Sequence, residues 1–154
     1  MSCDRRIFVG AERGGNLGDS SISHRDYREY VKASFMRNSE FFSGDRKPFA
    51  IELFSDDFFD RWKRQEEATD VFGRSVQMGG KISFCYIDGN HTYDFARRDF
   101  ENVDRFIDPG GYILFDDSDD SYPFGLTRLM KKISRDRRYE LVIKNPNYLF
   151  RRSS

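Results

Sequence analysis

The sequence contains few cysteines, no long apolar run and no signal-peptide pattern. Its two cysteines, Cys3 and Cys85, lack C-x-x-C spacing, so we expect free thiols rather than a disulfide framework. No apolar stretch approaches the roughly 18 residues that a membrane-spanning helix needs. These absences predict a cytoplasmic protein without a membrane partner.

An excess of one charge is also missing, because 26 Lys and Arg residues are balanced by 26 Asp and Glu residues. A formal net charge of zero gives no reason to expect a nucleic-acid partner. The length of 154 residues predicts a single domain over residues 1–154, large enough for a hydrophobic core. Sixteen Phe and eight Tyr residues supply much of the apolar area for that core.

Two short apolar runs in the segment 81–118 each end in a group of acidic residues. The run 82–87 stops at Asp88, and the run 112–115 stops at Asp116. The residues between them predict an amphipathic helix, which Pro109 and two glycines end. The apolar face of that helix is Ala96, Phe100, Val103 and Ile107. A strand, a helix and a second strand in this order predict two parallel strands.

The rest of the sequence predicts further strands and helices around this unit. Apolar runs at 6–11 and 49–54 are typical of strands, and the first of them ends at Glu12. Helical spacing covers 26–42 and the apolar residues between 126 and 133, and Ser55 is positioned to cap a short aromatic helix. The segment 66–80 lacks clear periodicity and is interpreted as a loop, with a small hairpin from Asp70 to Gln77. A final hairpin turns at Asn145 and Pro146.

Acidic residues therefore follow four predicted strands. Open parallel sheets bind ligands in the crevice outside the carboxyl ends of their strands. Asp88 follows a strand that is too apolar to hold a carboxylate without a partner, because a buried charge is costly unless it is paired or bound to a metal ion. These positions make the carboxyl edge of the sheet the predicted functional site.

The segments YIDGNHTYDFARRDFEN and DPGGYILFDDS resemble the second half of a class I S-adenosylmethionine-dependent methyltransferase. The similarity is to the branch of small-molecule and sugar O-methyltransferases and cephalosporin-hydroxylase-like proteins, and it extends over nearly the whole chain. The resemblance implies a Rossmann-like α/β fold, with a mostly parallel sheet flanked by helices and a C-terminal antiparallel hairpin. It also implies S-adenosylmethionine as the cofactor.

The resemblance is incomplete at its beginning. In that family the first strand runs into a glycine-rich loop of the form E-x-G-x-x-x-G, and no such strand and loop precede Arg6. We therefore expect an N-terminally shortened fold that starts at the second strand of the family. The glycines at 14–18 offer an alternative cofactor loop, but a flexible loop is the simpler interpretation because no helix opens directly on them.

The resemblance assigns cofactor-binding roles to Glu12, Ser55, Asp56 and Asp88. Glu12 would accept hydrogen bonds from the ribose hydroxyls, and Ser55 and Asp56 would lie near the adenine. Ordinary explanations stand beside these roles. An acidic side chain at a strand end, such as Glu12, can also be there simply because it faces solvent. Helix capping accounts equally well for Ser55 and Asp56.

Asp88, Asp116 and Asp117 are the candidate metal ligands. Three carboxylates at neighbouring strand ends suit a hard divalent cation such as Mg²⁺, and metal-dependent members of the family take acids from the same two strand ends. The alternative is a solvated acidic loop from 116 to 120. His91, three residues after Asp88, is the candidate general base, or it orients Asp88. Tyr93 and Tyr122 line the acceptor pocket or pack in the core.

The expected activity is O-methylation of a small hydroxylated molecule such as a sugar, with Asp88 and His91 as catalytic residues. A small-molecule acceptor is therefore the expected partner, and the sequence leaves a homo-oligomer open. Two other functions remain open as well. One is a non-catalytic domain that keeps the methyltransferase fold, and the other is a metal-dependent phosphotransferase or hydrolase that uses the acids at 116–120.

Overall fold

The computed structural model describes residues 1–4, 15–120 and 125–153. The chain divides into two compact units, Met1–Met78 and Gly79–Ser154. The predicted strand at 6–11 lies outside the described residues, as do Glu12 and Tyr122. In the part of the chain that is described, no helix is long and apolar enough to cross a membrane.

The first unit combines two helices with two short sheets. Its elements are β1 (Ser2–Cys3), α1 (His24–Ser43), a 3-10 helix (Gly44–Arg46), β2 (Ala50–Ile51), α2 (Ser55–Arg64), β3 (Glu67–Thr69) and β4 (Ser75–Gln77). Strands β1 and β2 pair in parallel, and β3 and β4 form an antiparallel hairpin. The expectation of a small hairpin in this segment is confirmed, although β3 begins before residue 70.

The strand predicted at 49–54 is much shorter than expected. Only Ala50 and Ile51 form β2, and within the described residues they pair with the two residues of β1. The backbone N–H of Ser2 donates to Phe49 O at 2.7 Å, and that of Asp4 donates to Ile51 O at 3.1 Å. An apolar run becomes a strand where a second backbone satisfies its hydrogen bonds, and in the described ranges β1 does so for this part of the run.

Helix α1 confirms the helix predicted at 26–42 and extends it at both ends. The Ser23 hydroxyl oxygen accepts a hydrogen bond from the Asp26 backbone N–H at 3.0 Å, which satisfies one of the free donors of the first turn. His24 is the first residue of this helix. The helix ends at Gly44, whose φ of 49° suits glycine.

Helix α2 carries the expected aromatic face but not the expected cap. Phe58 is buried and stacks on Trp62 with ring centroids 5.5 Å apart. Phe54 occupies the N-cap position and Ser55 is already helical, since the Phe58 backbone N–H donates to Phe54 O at 2.9 Å. The prediction that Ser55 caps this helix is therefore wrong. A small core closes the unit, formed by Ile51, Phe58, Ala68 and Met78.

The second unit places two helices and a four-stranded sheet in one compact body. Its elements are β5 (Ile82–Ile87), α3 (Tyr93–Asp104), β6 (Ile107–Phe115), α4 (Leu126–Ile133), β7 (Tyr139–Ile143) and β8 (Leu149–Arg152). The strand order is β5-β6-β8-β7. Strands β5 and β6 are parallel, and β8 is antiparallel to both β6 and β7. The predicted strand-helix-strand unit and the final hairpin are thus confirmed.

The protein is a mixed α/β structure, as the sequence predicts. Its described strands fall into three sheets, and two of the pairings are parallel. Beyond these two parallel pairs, the mostly parallel, Rossmann-like sheet stays a prediction. Cys3 and Cys85 are not joined in a disulfide, and burial raises the pKa of Cys85 to about 11.

Strand β6 begins earlier than the sequence indicates. Ile107 was expected on the apolar face of the helix, but α3 ends at Asp104 and Ile107 pairs with Ile82. The register then shifts, because Phe84 pairs with Tyr112. The Pro-Gly-Gly segment therefore does not end a helix. It forms an irregularity within the strand, where Gly110 adopts a φ of 81°.

The core of the second unit lies between its sheet and its helices. The apolar residues of α4 are all buried, which confirms the predicted face of that helix. Phe115 packs edge-on against Phe150 with ring centroids 6.1 Å apart, and Phe100 of α3 contacts Phe115 at 6.1 Å. These contacts hold the carboxyl end of β6 against both the helical layer and the last hairpin.

Candidate active site

The carboxyl ends of β5 and β6 bring two aspartates together. Ile87 and Phe115 are paired in the parallel register, so Asp88 and Asp116 leave neighbouring strands at the same edge. The Asp116 backbone N–H donates to Ile87 O at 2.9 Å, which extends the pairing by one residue. The sheet therefore fixes the two carboxylates side by side before any side-chain contact is considered.

His91 lies in the turn between β5 and α3, close to both acids. One ligand atom from each of Asp88, His91 and Asp116 lies within 4.8 Å of the others. His91 Nε2 is 3.8 Å from Asp88 Oδ1, and His91 Nδ1 is 3.4 Å from Asp117 Oδ2. The imidazole is thus flanked by a carboxylate on each side.

The turn that carries His91 is fixed by a local hydrogen bond. Asn90 Oδ1 accepts from the Thr92 backbone N–H at 2.9 Å. Asparagine stabilises turns in this way because its side chain replaces a backbone acceptor. Helix α3 begins at Tyr93 immediately afterwards, so the position of His91 depends on both the strand end and the helix start.

Asp116 accepts hydrogen bonds from four groups. The Tyr86 hydroxyl, the Asp88 carboxyl, the Asn147 amide and the Asp117 backbone N–H all lower the pKa of Asp116, and the Tyr86 bond is the largest cause. Asn147 Nδ2 donates to Asp116 Oδ1 at 3.2 Å. The same contact raises the pKa of Tyr86 to about 12, which keeps its hydroxyl protonated and able to donate. Asp116 is therefore the charged member of the pair.

Asp88 behaves in the opposite way. Burial, and then the charge of Asp116 beside it, raise the pKa of Asp88 above its usual range. Two carboxylates so close together favour one shared proton, because like charges oppose a second ionisation. The side chain of Asp88 remains 55% exposed, so its oxygens are open to a ligand.

The loop after Asp116 has an unusual backbone. Asp117 has a φ of 45°, in the left-handed region that few residues other than glycine adopt. Ser118 is fully buried, and its hydroxyl donates to Phe115 O at 2.8 Å and accepts from the Tyr148 backbone N–H at 2.7 Å. This serine fixes the loop against β8, which turns Asp117 toward His91.

Four of the predicted site residues therefore lie together, namely Asp88, His91, Asp116 and Asp117. The closest potential ligand group contains His91 where the sequence led us to expect Asp117. Asp120 does not join the cluster, because it pairs with Lys144 at 2.6 Å and accepts from the Tyr148 hydroxyl at 2.7 Å. The acids at 116–120 are thus not one solvated acidic loop.

The remaining predicted site residues lie elsewhere in the chain. Ser55 and Asp56 form the first turn of α2 in the first unit, and Glu12 is outside the described residues. Two residues near Asp116, Tyr86 and Asn147, were missed as site residues. Strand alternation places Tyr86 on the same face as Asp88, which was an available signal. Nothing local in the sequence connects Asn147 with Asp116.

Comparison with known families now adds to this geometry. The parallel strand pair with acids and a histidine at its carboxyl edge is typical of an α/β enzyme that binds a ligand there. A family model described as a methyltransferase domain matches residues 12–118, and the chain belongs to this methyltransferase family. No curated protein matches the chain.

Proposed function

We propose that the protein is an S-adenosylmethionine-dependent methyltransferase that acts on a hydroxyl group of a small molecule such as a sugar. Membership of the methyltransferase family supports the reaction class. The proposal that the acceptor is a hydroxyl group is supported by the cluster of Asp88, His91 and Asp116 at the ends of two parallel strands. It offers two carboxylates and a proton acceptor where such sheets bind their ligands.

The residues present fit the cofactor. S-adenosylmethionine, when bound, supplies a methyl group that is already electrophilic, so the protein has to align the acceptor and free its oxygen for attack. The exposed oxygens of Asp88 suit the hydroxyl and amino donors of such a ligand. By resemblance we assign cofactor contacts to Glu12, Ser55, Asp56 and Asp88.

His91 is the proposed general base. Histidine is the side chain that most often takes a proton from a reacting hydroxyl. Its two ring nitrogens face Asp88 and Asp117 at 3.8 and 3.4 Å, so either carboxylate stabilises the imidazolium that forms. Asp117 thereby acts as a positioning residue, through a turn whose backbone conformation is itself held by Ser118.

A divalent cation is a further element of the proposal. Asp88 and Asp116 would hold it, with His91 or Asp117 as a third ligand, and it would lower the pKa of the acceptor hydroxyl. A cation would also relieve the repulsion that raises the pKa of Asp88. Three oxygen donors suit Mg²⁺, whereas two oxygens and an imidazole suit Mn²⁺ or Fe²⁺ as well. A ring nitrogen that binds the cation cannot at the same time accept a proton.

Calorimetric titration with S-adenosylhomocysteine, with and without Mg²⁺, tests the proposal. We expect saturable binding that is at least tenfold weaker in Asp88→Asn. Asp94→Asn is the matched control, because Asp94 is an exposed aspartate in the first turn of α3. Its affinity should stay within twofold of the original chain.

Absence of binding by the folded chain would contradict the enzyme proposal and favour a non-catalytic domain of the same fold. If Asp88→Asn and Asp94→Asn lost affinity for S-adenosylhomocysteine equally, Asp88 would not be a cofactor-binding residue. This proposal includes one domain over residues 1–154, a cytoplasmic location and a small-molecule partner.

A further inference from the structure

Helix α4 presents a row of cations on the side opposite its buried face. Four basic residues follow one another at i, i+3, i+4 and i+7, a spacing that places them on one side of a helix. They continue through the helical turn after Ile133, where the Arg135 backbone N–H donates to Lys132 O at 3.2 Å. All four are exposed, namely Arg128, Lys131, Lys132 and Arg135. We call this row the basic face of α4.

The basic face lines concave surface. Two neighbouring cavities of about 430 and 830 Å³ share Thr127, Lys131 and Arg135. The larger is also lined by Tyr93 and Arg128, and the smaller by hydroxyl and cationic groups from α4 and the last hairpin. Hydroxyl, ammonium and guanidinium groups all donate hydrogen bonds, and beside them the smaller cavity is lined by Leu141 and by one acceptor group, the Asp120 carboxylate.

In the part of the chain that the structure describes, little of this positive charge is balanced by acids, and Asp120 interacts with Lys131 as well as with Lys144. Asp120 is the only carboxylate that lines either cavity, and it is paired with Lys144 at 2.6 Å. Within the described ranges, no carboxylate lies in ion-pair range of Arg128, Lys132 or Arg135. A neighbouring arginine outside the cleft provides a contrast, because Arg138 contacts Asp104 and Asp136, each at 2.7 Å.

The larger cavity adjoins the turn that carries His91. Tyr93 lines it, two residues after His91, and the Arg128 guanidinium lies 4.4 Å from the centroid of the Tyr93 ring. Gly125 sits directly on the start of α3, since a Cβ at that position would lie 2.5 Å from the Tyr93 backbone N. This close approach of the two helix starts brings the basic face next to the candidate active site.

We propose that the basic face of α4 binds a phosphate group on the methyl acceptor, which makes the acceptor a phosphorylated hydroxylated small molecule. The inference rests on the proposed function and names its substrate class. A phosphate presents several oxygens with full negative charge, and guanidinium and ammonium groups bind them with charge-assisted hydrogen bonds. With its phosphate there, the acceptor extends toward His91, two residues before Tyr93.

The structure favours a small molecule over a nucleic acid or a membrane. The eight residues from Arg128 to Arg135 span about 10 Å of helix, which suits one or two phosphate groups. The chain as a whole has a formal net charge of zero, which gives no support to a nucleic-acid partner. The apolar residues of α4 are buried and cannot insert into lipid.

Titrations with inorganic phosphate and pyrophosphate, followed by ³¹P NMR, test the inference. We expect saturable binding that weakens as salt is added, because screening reduces charge interactions. The double variant Arg128→Gln/Lys132→Gln should lose at least tenfold in affinity. Arg137→Gln is the matched control, an exposed arginine that lines neither cavity, and it should stay within twofold.

Separate readouts distinguish this inference from the proposed function. The double variant should still bind S-adenosylhomocysteine with unchanged affinity, and Asp88→Asn should still bind phosphate. If the original chain bound phosphate but not S-adenosylhomocysteine, the anion site would stand. The proposal that its phosphate belongs to a methyl acceptor would be wrong. Cofactor binding without phosphate binding would overturn the inference alone.

Two further outcomes would also overturn it. One is acetate binding as tightly as phosphate at equal ionic strength, which would indicate nonspecific charge attraction. The other is a single-stranded oligonucleotide, or vesicles rich in phosphatidylserine, binding more tightly than pyrophosphate and losing that binding in the same double variant. Either macromolecular result would replace the small molecule as the occupant of the basic face.

Discussion

Asp70 in the first unit and Asp88 in the second illustrate two ways in which a protein uses a carboxylate. The Asp70 side chain is fully shielded, and its oxygens accept from two backbone N–H groups and from Arg74 at 2.9 and 2.6 Å. Burial alone would raise the pKa of Asp70, but the bonds from Arg74 and Phe72 lower it. Every neighbour of this carboxylate is a donor.

Asp88 has an acid as its nearest partner instead. Burial and Asp116 raise its pKa, and more than half of its side chain is open to solvent. A carboxylate surrounded by donors stabilises the fold, whereas a carboxylate beside another acid costs stability that only a ligand or cation recovers. Burial acts in the same direction on both pKa values, so the difference between these two carboxylates comes from their partners, hydrogen-bond donors for Asp70 and a second acid for Asp88.

The largest expected effect is on Asp70. The change Asp70→Asn leaves the Arg74 guanidinium without its counter-charge, and breaking such a buried pair costs about 3–5 kcal/mol of unfolding free energy. Urea denaturation measures this loss. Asp57→Asn is the control, since Asp57 is exposed in the first turn of α2 and should cost only a few tenths of a kcal/mol. A loss below about 1 kcal/mol for Asp70→Asn would contradict the comparison.

As the pH falls, Asp70 and Asp88 should change the unfolding free energy in opposite directions. A lowered pKa means that Asp70 contributes stability above the ordinary carboxyl pKa of about 4 and loses it as the pH falls through its lower folded value. A raised pKa means that Asp88 contributes increasing stability as the pH falls through its folded value.

Urea unfolding at a series of pH values tests this. The drop in stability below about pH 4 should become shallower in Asp70→Asn. Asp88→Asn should remove a gain in stability that occurs at higher pH than the drop. Identical pH profiles for the original chain and both variants would refute the assignment.

The smallest effect on stability is expected for Asp88→Asn at neutral pH. Removing one of two adjacent charges relieves repulsion, so the unfolding free energy should change by no more than about 0.5 kcal/mol or should rise. Urea denaturation measures the unfolding free energy of this variant, and the S-adenosylhomocysteine titration measures its affinity for the ligand. A loss of stability above about 1.5 kcal/mol would make Asp88 a structural carboxylate like Asp70.

The sequence predicts best where signals are local. Strand β5 was predicted with its observed limits because glycines precede it and Asp88 follows it, and the apolar spacing of α4 identified its buried face. The start of β6 was wrong because Ile107 fits the helical spacing equally well, and only its pairing with Ile82 decides between the two. Ser55 was misplaced by a single residue, within the usual uncertainty of helix ends.

The candidate site follows the same rule. Acids at the ends of two strands joined by a helix can be expected to meet, so Asp88 and Asp116 were predictable together. The donors that set their charge were not. Asn147 reaches Asp116 across 31 residues of sequence, and the buried hydroxyl of Ser118 reaches Tyr148 across 30, through a hairpin whose position depends on the packing of the whole unit.

The bonds from the last hairpin to the loop after β6 also have a consequence for protein synthesis. The ribosome makes Asn147 31 residues after Asp116, which takes a few seconds at about 5–20 residues per second. During that interval Asp116 and Ser118 have been made, but neither Asn147 nor Tyr148 is there to hold them. The growing chain therefore carries Asp88, Asp116 and the Tyr86 donor before it carries the bonds from the last hairpin, and the site is completed late in translation.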